Sequence, residues 1–244
     1  MNVTFALVTA RRILTQLRHD HRTVAMMVLV PTLLMVLLRF VFNTEQAFSA
    51  AAPALLAVFP FAIMFIVTSI TTLRERTTAT LERLMTLPIG KLDLLFGYAI
   101  AFGLVAMAQV VVAVGVSLAW LGLEIDGSIW LLVLIAVLDA LLGTALGLLA
   151  SAFARTEFQA VQFMPAIVMP QVLLCGLFAP RESMTPVLEW LSNVMPLSYA
   201  VEALESTTRS NELGGTLVRD LVIVAGSAVL ALILGAATLR RRTP

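Results

Sequence analysis

Asp139 is an ionisable residue near the middle of an unbroken apolar stretch, residues 129–154. A carboxylate at the centre of a membrane-crossing helix costs about 2.5–3.5 kcal/mol on the insertion scale. It must therefore face protein or water. One reading makes Asp139 a proton or cation site; the other makes it a neutral carboxyl bonded to a neighbouring helix. Gln109, Gln162 and Gln171 are milder polar residues in apolar surroundings, better suited to interhelical hydrogen bonds than to substrate contact. Asp139, Gly143 and Gly147 recur at intervals of four, a small-residue face suited to close helix packing. Catalytic signatures are missing. There is no G-x-x-x-x-G-K-[ST], no H-E-x-x-H and no G-x-S-x-G, and Gly90-Lys91 is the sole Gly-Lys pair. One cysteine, Cys175, cannot build an intrachain disulfide framework, and with two histidines it makes a poor zinc site.

The densest run of charge is a different kind of candidate. It reads Arg74-Glu75-Arg76-Thr77-Thr78-Ala79-Thr80-Leu81-Glu82-Arg83-Leu84-Met85-Thr86-Leu87-Pro88. Thr77 or Thr78 can cap a helix, Leu81, Leu84 and Met85 fall on one face, and Pro88 cannot continue it. A short amphipathic helix here finds only the membrane surface or a partner to pack on. The alternative is a charged loop held by Glu–Arg pairs.

The elements that position these residues follow from composition. The chain has 244 residues, 60% of them hydrophobic and 13% charged, with mean hydropathy +0.98 and net charge +1. A soluble domain carries roughly 25% charged residues, so lipid must be the solvent here. The near-neutral charge argues against a nucleic-acid partner. A bilayer core about 30 Å thick needs about 20 apolar residues as helix. Six stretches qualify: 23–42, 53–73, 92–121, 129–154, 158–179 and 218–239. Continuous runs mean helices rather than alternating barrel strands. Pro165 and Pro170 place a kink or hinge in the fifth.

With the N-terminus in the cytoplasm, 12 of the 16 basic residues fall inside, and an even number of spans returns the C-terminus to the same side. Residues 1–22 read as an amphipathic interfacial helix with Val3, Leu7, Ala10, Leu14 and Leu17 on its apolar face. The basic residues ahead of a long apolar run predict a retained span rather than a cleaved leader, although Ser49-Ala50-Ala51 faintly resembles a cleavage site. Residues 74–91 form the inner loop. Residues 180–210 form two short external helices dipping into the outer leaflet, the first starting at Thr185-Pro186, the second after Met195-Pro196 with Ser198 as a cap.

Two motifs carry a family resemblance. Arg74, Glu75, Thr80, Leu81, Glu82, Leu84 and Pro88 resemble the R-E-x-x-x-x-T-L-E-x-L-x-x-x-P-like stretch that follows the second span of ABC-2 (type-2 ABC exporter) permeases. Leu174-Cys175-Gly176-x-Phe178-x-Pro180 and Met195-Pro196-Leu197-Ser198-Tyr199-Ala200-Val201-Glu202-Ala203-Leu204 resemble the family's region between spans five and six. The resemblance covers essentially the whole chain as one transmembrane domain, 1–244, and is similar in detail to bacterial drug-resistance permeases of the daunorubicin or anthracycline type.

The resemblance implies a permease that pairs with a second, identical or paralogous, in the bacterial inner membrane. Two copies of a separate ATPase would dock from the cytoplasm and carry the ATP and Mg; this chain itself would hold no cofactor. Arg74, Glu75, Thr80, Leu81, Glu82, Leu84, Met85 and Pro88 would be the ATPase-coupling residues. The cargo would be a hydrophobic or amphiphilic compound moved outward. The rival readings are an exporter of lipid-linked or polymeric glycan, an intramembrane enzyme using Asp139, and a proton-coupled transporter working alone.

Overall fold

The computed structural model describes residues 3–78, 90–209 and 214–238. All regular structure among them is helical. In chain order the elements are α1 (Val3–His19), α2 (His21–Phe42), α3 (Glu45–Thr77), α4 (Lys91–Ala119), α5 (Ile129–Ser151), α6 (Glu157–Phe163), a π turn (Met164–Val168), α7 (Met169–Leu174), a 3-10 turn (Arg181–Ser183), α8 (Pro186–Val194), α9 (Pro196–Arg209) and α10 (Gly215–Thr238). Five of these, α2, α3, α4, α5 and α10, are long and apolar enough to cross a membrane.

Local chemistry explains where the helices start. Asp20 caps α2, its carboxylate accepting from the Thr23 amide at 3.1 Å and the Thr23 hydroxyl at 2.6 Å. These bonds hold the Asp20 carboxyl below its usual range. Asn43, in the left-handed region at φ 57°, ends α2, and Thr44 then caps α3 by accepting from the Ala47 amide.

The core is built around α3, which packs most extensively on α5. Phe48, Phe61 and Phe65 of α3 are fully enclosed. Opposite them a Cβ on Gly143 would overlap the Phe61 carbonyl, and one on Gly147 would overlap Thr68 and the Phe65 carbonyl. The small-residue face expected from the 139–143–147 spacing is thus a backbone-close seam between α3 and α5. Helix α10 covers the other side of α5, while α2 is the least enclosed crossing helix.

Several expectations need correcting. The second span is longer than 53–73: α3 begins at Glu45, because the Thr44 cap starts the helix eight residues ahead of the apolar run. At 33 residues it is about 50 Å long, more than a bilayer core needs. The residues resembling a cleavage site, Ser49 to Ala51, lie inside it.

The fifth predicted span, 158–179, is interrupted at the two prolines where a kink or hinge was expected. Pro165 and Pro170 break the run Glu157–Leu174 into α6, the π turn and α7, and the chain bends away at Gly176, φ 104°. A proline cannot donate the α-type bond, so the ladder is interrupted at Pro165 and Pro170; the Met164 amide closes on the Val161 carbonyl that Pro165 leaves free, and the Met169 amide reaches across a wider turn to the Met164 carbonyl.

Helices α8 and α9 fall where two external helices were expected, with the break at Met195-Pro196. Their caps differ. Thr185 makes no side-chain cap bond, and Ser198 lies inside α9, its hydroxyl 3.1 Å from that of Ser192. The buried face of α1 is Ala6, Thr9, Ala10, Ile13 and Leu17, so Val3 and Leu7 face outward instead.

Candidate functional site

The α3–α4 junction is where the charged motif begins. Of its residues, Thr80, Leu81, Glu82, Leu84, Met85 and Pro88 lie outside the described residues. Arg74 and Glu75 are described, and both turn inward to their own chain. Arg74 makes a two-pronged bond to Glu157 at the start of α6, 2.6 Å from Nε and 3.0 Å from the terminal nitrogen. Such fork geometry fixes direction as well as distance. Glu75 is buried. It accepts from Arg12 of α1 at 3.0 Å and from the Tyr98 hydroxyl of α4, while Arg12 also donates to Tyr98 at 3.1 Å. The hydroxyls of Thr77 and Thr78 close the end of α3 on the Arg74 carbonyl.

One short stretch of α3 is therefore tied to α1, α4 and α6. Motif spacing located Arg74 and Glu75 but not Arg12, Tyr98 or Glu157. These partners are 63, 23 and 83 residues distant in sequence, and no local pattern joins them.

The intramembrane polar residues do not form one site. Asp139 is fully enclosed, and neither carboxylate oxygen has a partner among the described residues. Gln109 is equally enclosed and its amide is likewise unpaired. Gln171 bonds the Ile167 carbonyl of its own helical run at 3.1 Å. Gln162 is exposed on α6 and lines a shallow cleft with Arg155 and Gln159. The interhelical bonds expected of these glutamines are not made among the described residues.

The opposite end of the bundle holds a polar site that the sequence reading missed. Glu202 of α9 accepts from Arg181 at 2.7 Å and from Arg219 of α10 at 3.0 Å, and Arg219 also pairs with Asp220 at 2.7 Å. Both guanidiniums lie over the Tyr199 ring, 5.2 and 5.6 Å from its centroid. A cleft of about 570 Å³ opens beside them, lined also by Glu189, Glu205 and Arg209. Burial raises the Glu205 carboxyl above its usual range, against the opposing pull of Arg209. A signal was present: Tyr199 and Glu202 are three apart, hence on one face of α9.

Long apolar helices, a glycine-tight seam and ionic ties gathered at the two ends define a polytopic membrane protein. The chain belongs to the ABC-2 type transporter family, whose model matches residues 4–208. It is similar to the probable multidrug ABC transporter permease YbhS of Escherichia coli K12, 29% identical over 166 residues, 68% of this chain and 44% of that protein. It is also similar to the YbhR permease of the same strain, 31% identical over 142 residues, 58% and 38% of the two chains. ABC transporter G family member 20 of Dictyostelium discoideum is 26% identical over 153 residues, 63% and 21%. The chain thus spans less than half the length of these relatives.

Proposed function

We propose that this chain is the membrane-spanning permease of an ATP-driven exporter that moves a hydrophobic or amphiphilic compound outward across a bacterial inner membrane. ATP and Mg reside on a separate ATPase, present in two copies, that docks on the coupling loop 74–91. The run α6–π–α7 serves as a sixth span, both termini are cytoplasmic, and a second permease, identical or paralogous, completes the pathway. The multidrug naming of the YbhS and YbhR relatives supports a drug-like cargo.

The observation that carries this reading is the junction at the base of the segment. Arg74 is anchored on α6, and Glu75 on α1 and α4. A push on the segment would therefore reach four helices rather than bend one loop. The intramembrane-enzyme reading is weaker, because an acid working on substrate needs access, and Asp139 is fully enclosed.

Cysteines at Leu81 and Leu84, crosslinked in cells, should capture a nucleotide-hydrolysing protein; capture of none would sink the proposal. Glu82→Arg should abolish cargo-stimulated ATP hydrolysis in the reconstituted complex while membrane insertion stays normal.

A further inference from the structure

Helix α1 is held to the bundle along one edge and open along the other. On the held edge are Arg12, bound to Glu75 and Tyr98, and the enclosed Ile13 and Leu17. On the open edge α1 and α4 enclose a groove of about 350 Å³. Its floor is apolar: Leu7 and Leu14 from α1, Ile100 and Leu104 from α4. Its rim is basic: Arg11 and Arg18, both exposed and neither with an acidic partner among the described residues. Arg12, Arg39, Arg74, Arg181, Arg209 and Arg219 are ion-paired within the chain, whereas the rim guanidiniums, like those of Arg22, Arg76 and Arg155, have no ion pair among the described residues.

The geometry selects the occupant. Arg11 and Arg18 are seven residues apart, two turns on one face, about 10 Å along the axis. Ile100 and Leu104 lie about 14 and 20 Å along α4 from its first residue. That depth is within an apolar crossing helix, where a water-soluble partner does not reach. A molecule that meets both parts must be charged at one end and apolar for a dozen or more ångströms. We propose that an anionic phospholipid of the adjacent leaflet occupies this groove, one acyl chain on the leucine–isoleucine floor and the phosphate between Arg11 and Arg18. Basic residues at a membrane surface each favour anionic lipid several-fold, and a preformed apolar floor turns that general attraction into a site.

The test uses the full chain in vesicles, with Trp120, Trp130 and Trp190 replaced by Phe and a single reporter, Leu104→Trp, in the floor. Its fluorescence is quenched by brominated phosphatidylglycerol or brominated phosphatidylcholine mixed into unbrominated phosphatidylcholine. At least about fivefold preference for the phosphatidylglycerol is expected, given two guanidiniums at the rim. The preference should fall to near unity in the Arg11→Gln, Arg18→Gln double variant. A reporter at Val229→Trp on α10 should show none in either background. Equal quenching by the two lipids, or a preference that survives the double variant, overturns the site. Quenching by neither lipid means that protein fills the groove, and abolition of the preference by millimolar inorganic phosphate means a phosphate site; each also overturns the proposal. None of these readouts depends on an ATPase or on transport.

Discussion

Glu75 shows how a residue can be found by motif while its partners stay hidden. Its place beside Arg74 suggested a contact offered to a partner, yet its carboxylate is buried between Arg12 and Tyr98. Removing one member of a half-buried pair strands the other, at a cost between the small value of exposed pairs and the large one of enclosed pairs. Glu75→Gln should therefore cost about 2 kcal/mol and lower the thermal midpoint of the purified protein by about 4–8 °C. Arg12→Ala should add little on top, because both changes break the same tie; full additivity in melting curves would show the pair to be uncoupled. Asp139 has no hydrogen-bond partner among the described residues. The isosteric Asp139→Asn should leave yield, monodispersity and transport unchanged. Lost transport at normal yield would instead give the carboxylate a working role. Asp139 and its burial were legible in the sequence. The missing partners were not, because they depend on which side chains neighbouring helices present.

At the scale of elements, the glycine spacing on α5 and the break at Met195-Pro196 were legible, whereas the caps were not: Thr185 makes no side-chain cap bond and Ser198 lies inside α9. The glycine spacing on α5 foretold the seam with α3, and it gives a sharp expectation. Gly143→Val would drive a side chain into the Phe61 backbone, which cannot yield as a flexible side chain can. It should cost at least about 3 kcal/mol and leave no monodisperse protein in size-exclusion chromatography. Gly115, with open space around it, should accept alanine freely.

The Asp20 cap adds a pH-dependent contribution. Its carboxyl is held below the usual aspartate range by the Thr23 bonds, so the stabilisation is complete above the ordinary value of 3.8 and is lost as pH falls through the lowered one. The gap in melting temperature between the natural chain and Asp20→Ala should be constant from neutral pH to about pH 5 and close below pH 4. Elements were misread where polar and apolar signals overlap. The eight residues after Thr44 fell outside the expected span because they are less apolar, although a capped helix needs no lipid to continue. In residues 158–179 Pro165 and Pro170 foretold the break, but hydropathy does not register the wider turn that it takes.

For the molecule as a whole, the all-helical class and five of the six expected crossing stretches followed from hydropathy alone. How the helices neighbour one another did not, since α3 meets α5 rather than only its chain neighbours. The pairing proposed above has a direct test in the exposed face of α6 and the π turn, where Gln162 would face lipid in a lone copy. An amide facing lipid is costly without a protein neighbour. Ala166→Cys should crosslink two permeases in native membranes in good yield, while Leu33→Cys on the outer face of α2 should not. The sole native cysteine, Cys175, is buried and leaves the background clean. Equal yields at both positions would remove the case for this face.

The contact between α1 and α4 at Gly97 bears on how such a molecule moves. A Cβ there would lie only 2.8 Å from the Ala6 carbonyl and 2.5 Å from Thr9. The Gly97 backbone rests on the Ala6 carbonyl and on the short, stiff Thr9 side chain, so α1 has little freedom to slide and more to swivel. Ala6 then acts as a fulcrum. Arg12 sits about 9 Å along the rod from it and Arg18 about 18 Å, so a tilt of about 10° would shift the first by about 1.5 Å and the second by about 3 Å. A rotation small enough to strain the Glu75 tie would sweep the far guanidinium across most of a hydrogen-bond length, magnifying a slight displacement at the ionic junction into a larger one at the membrane surface.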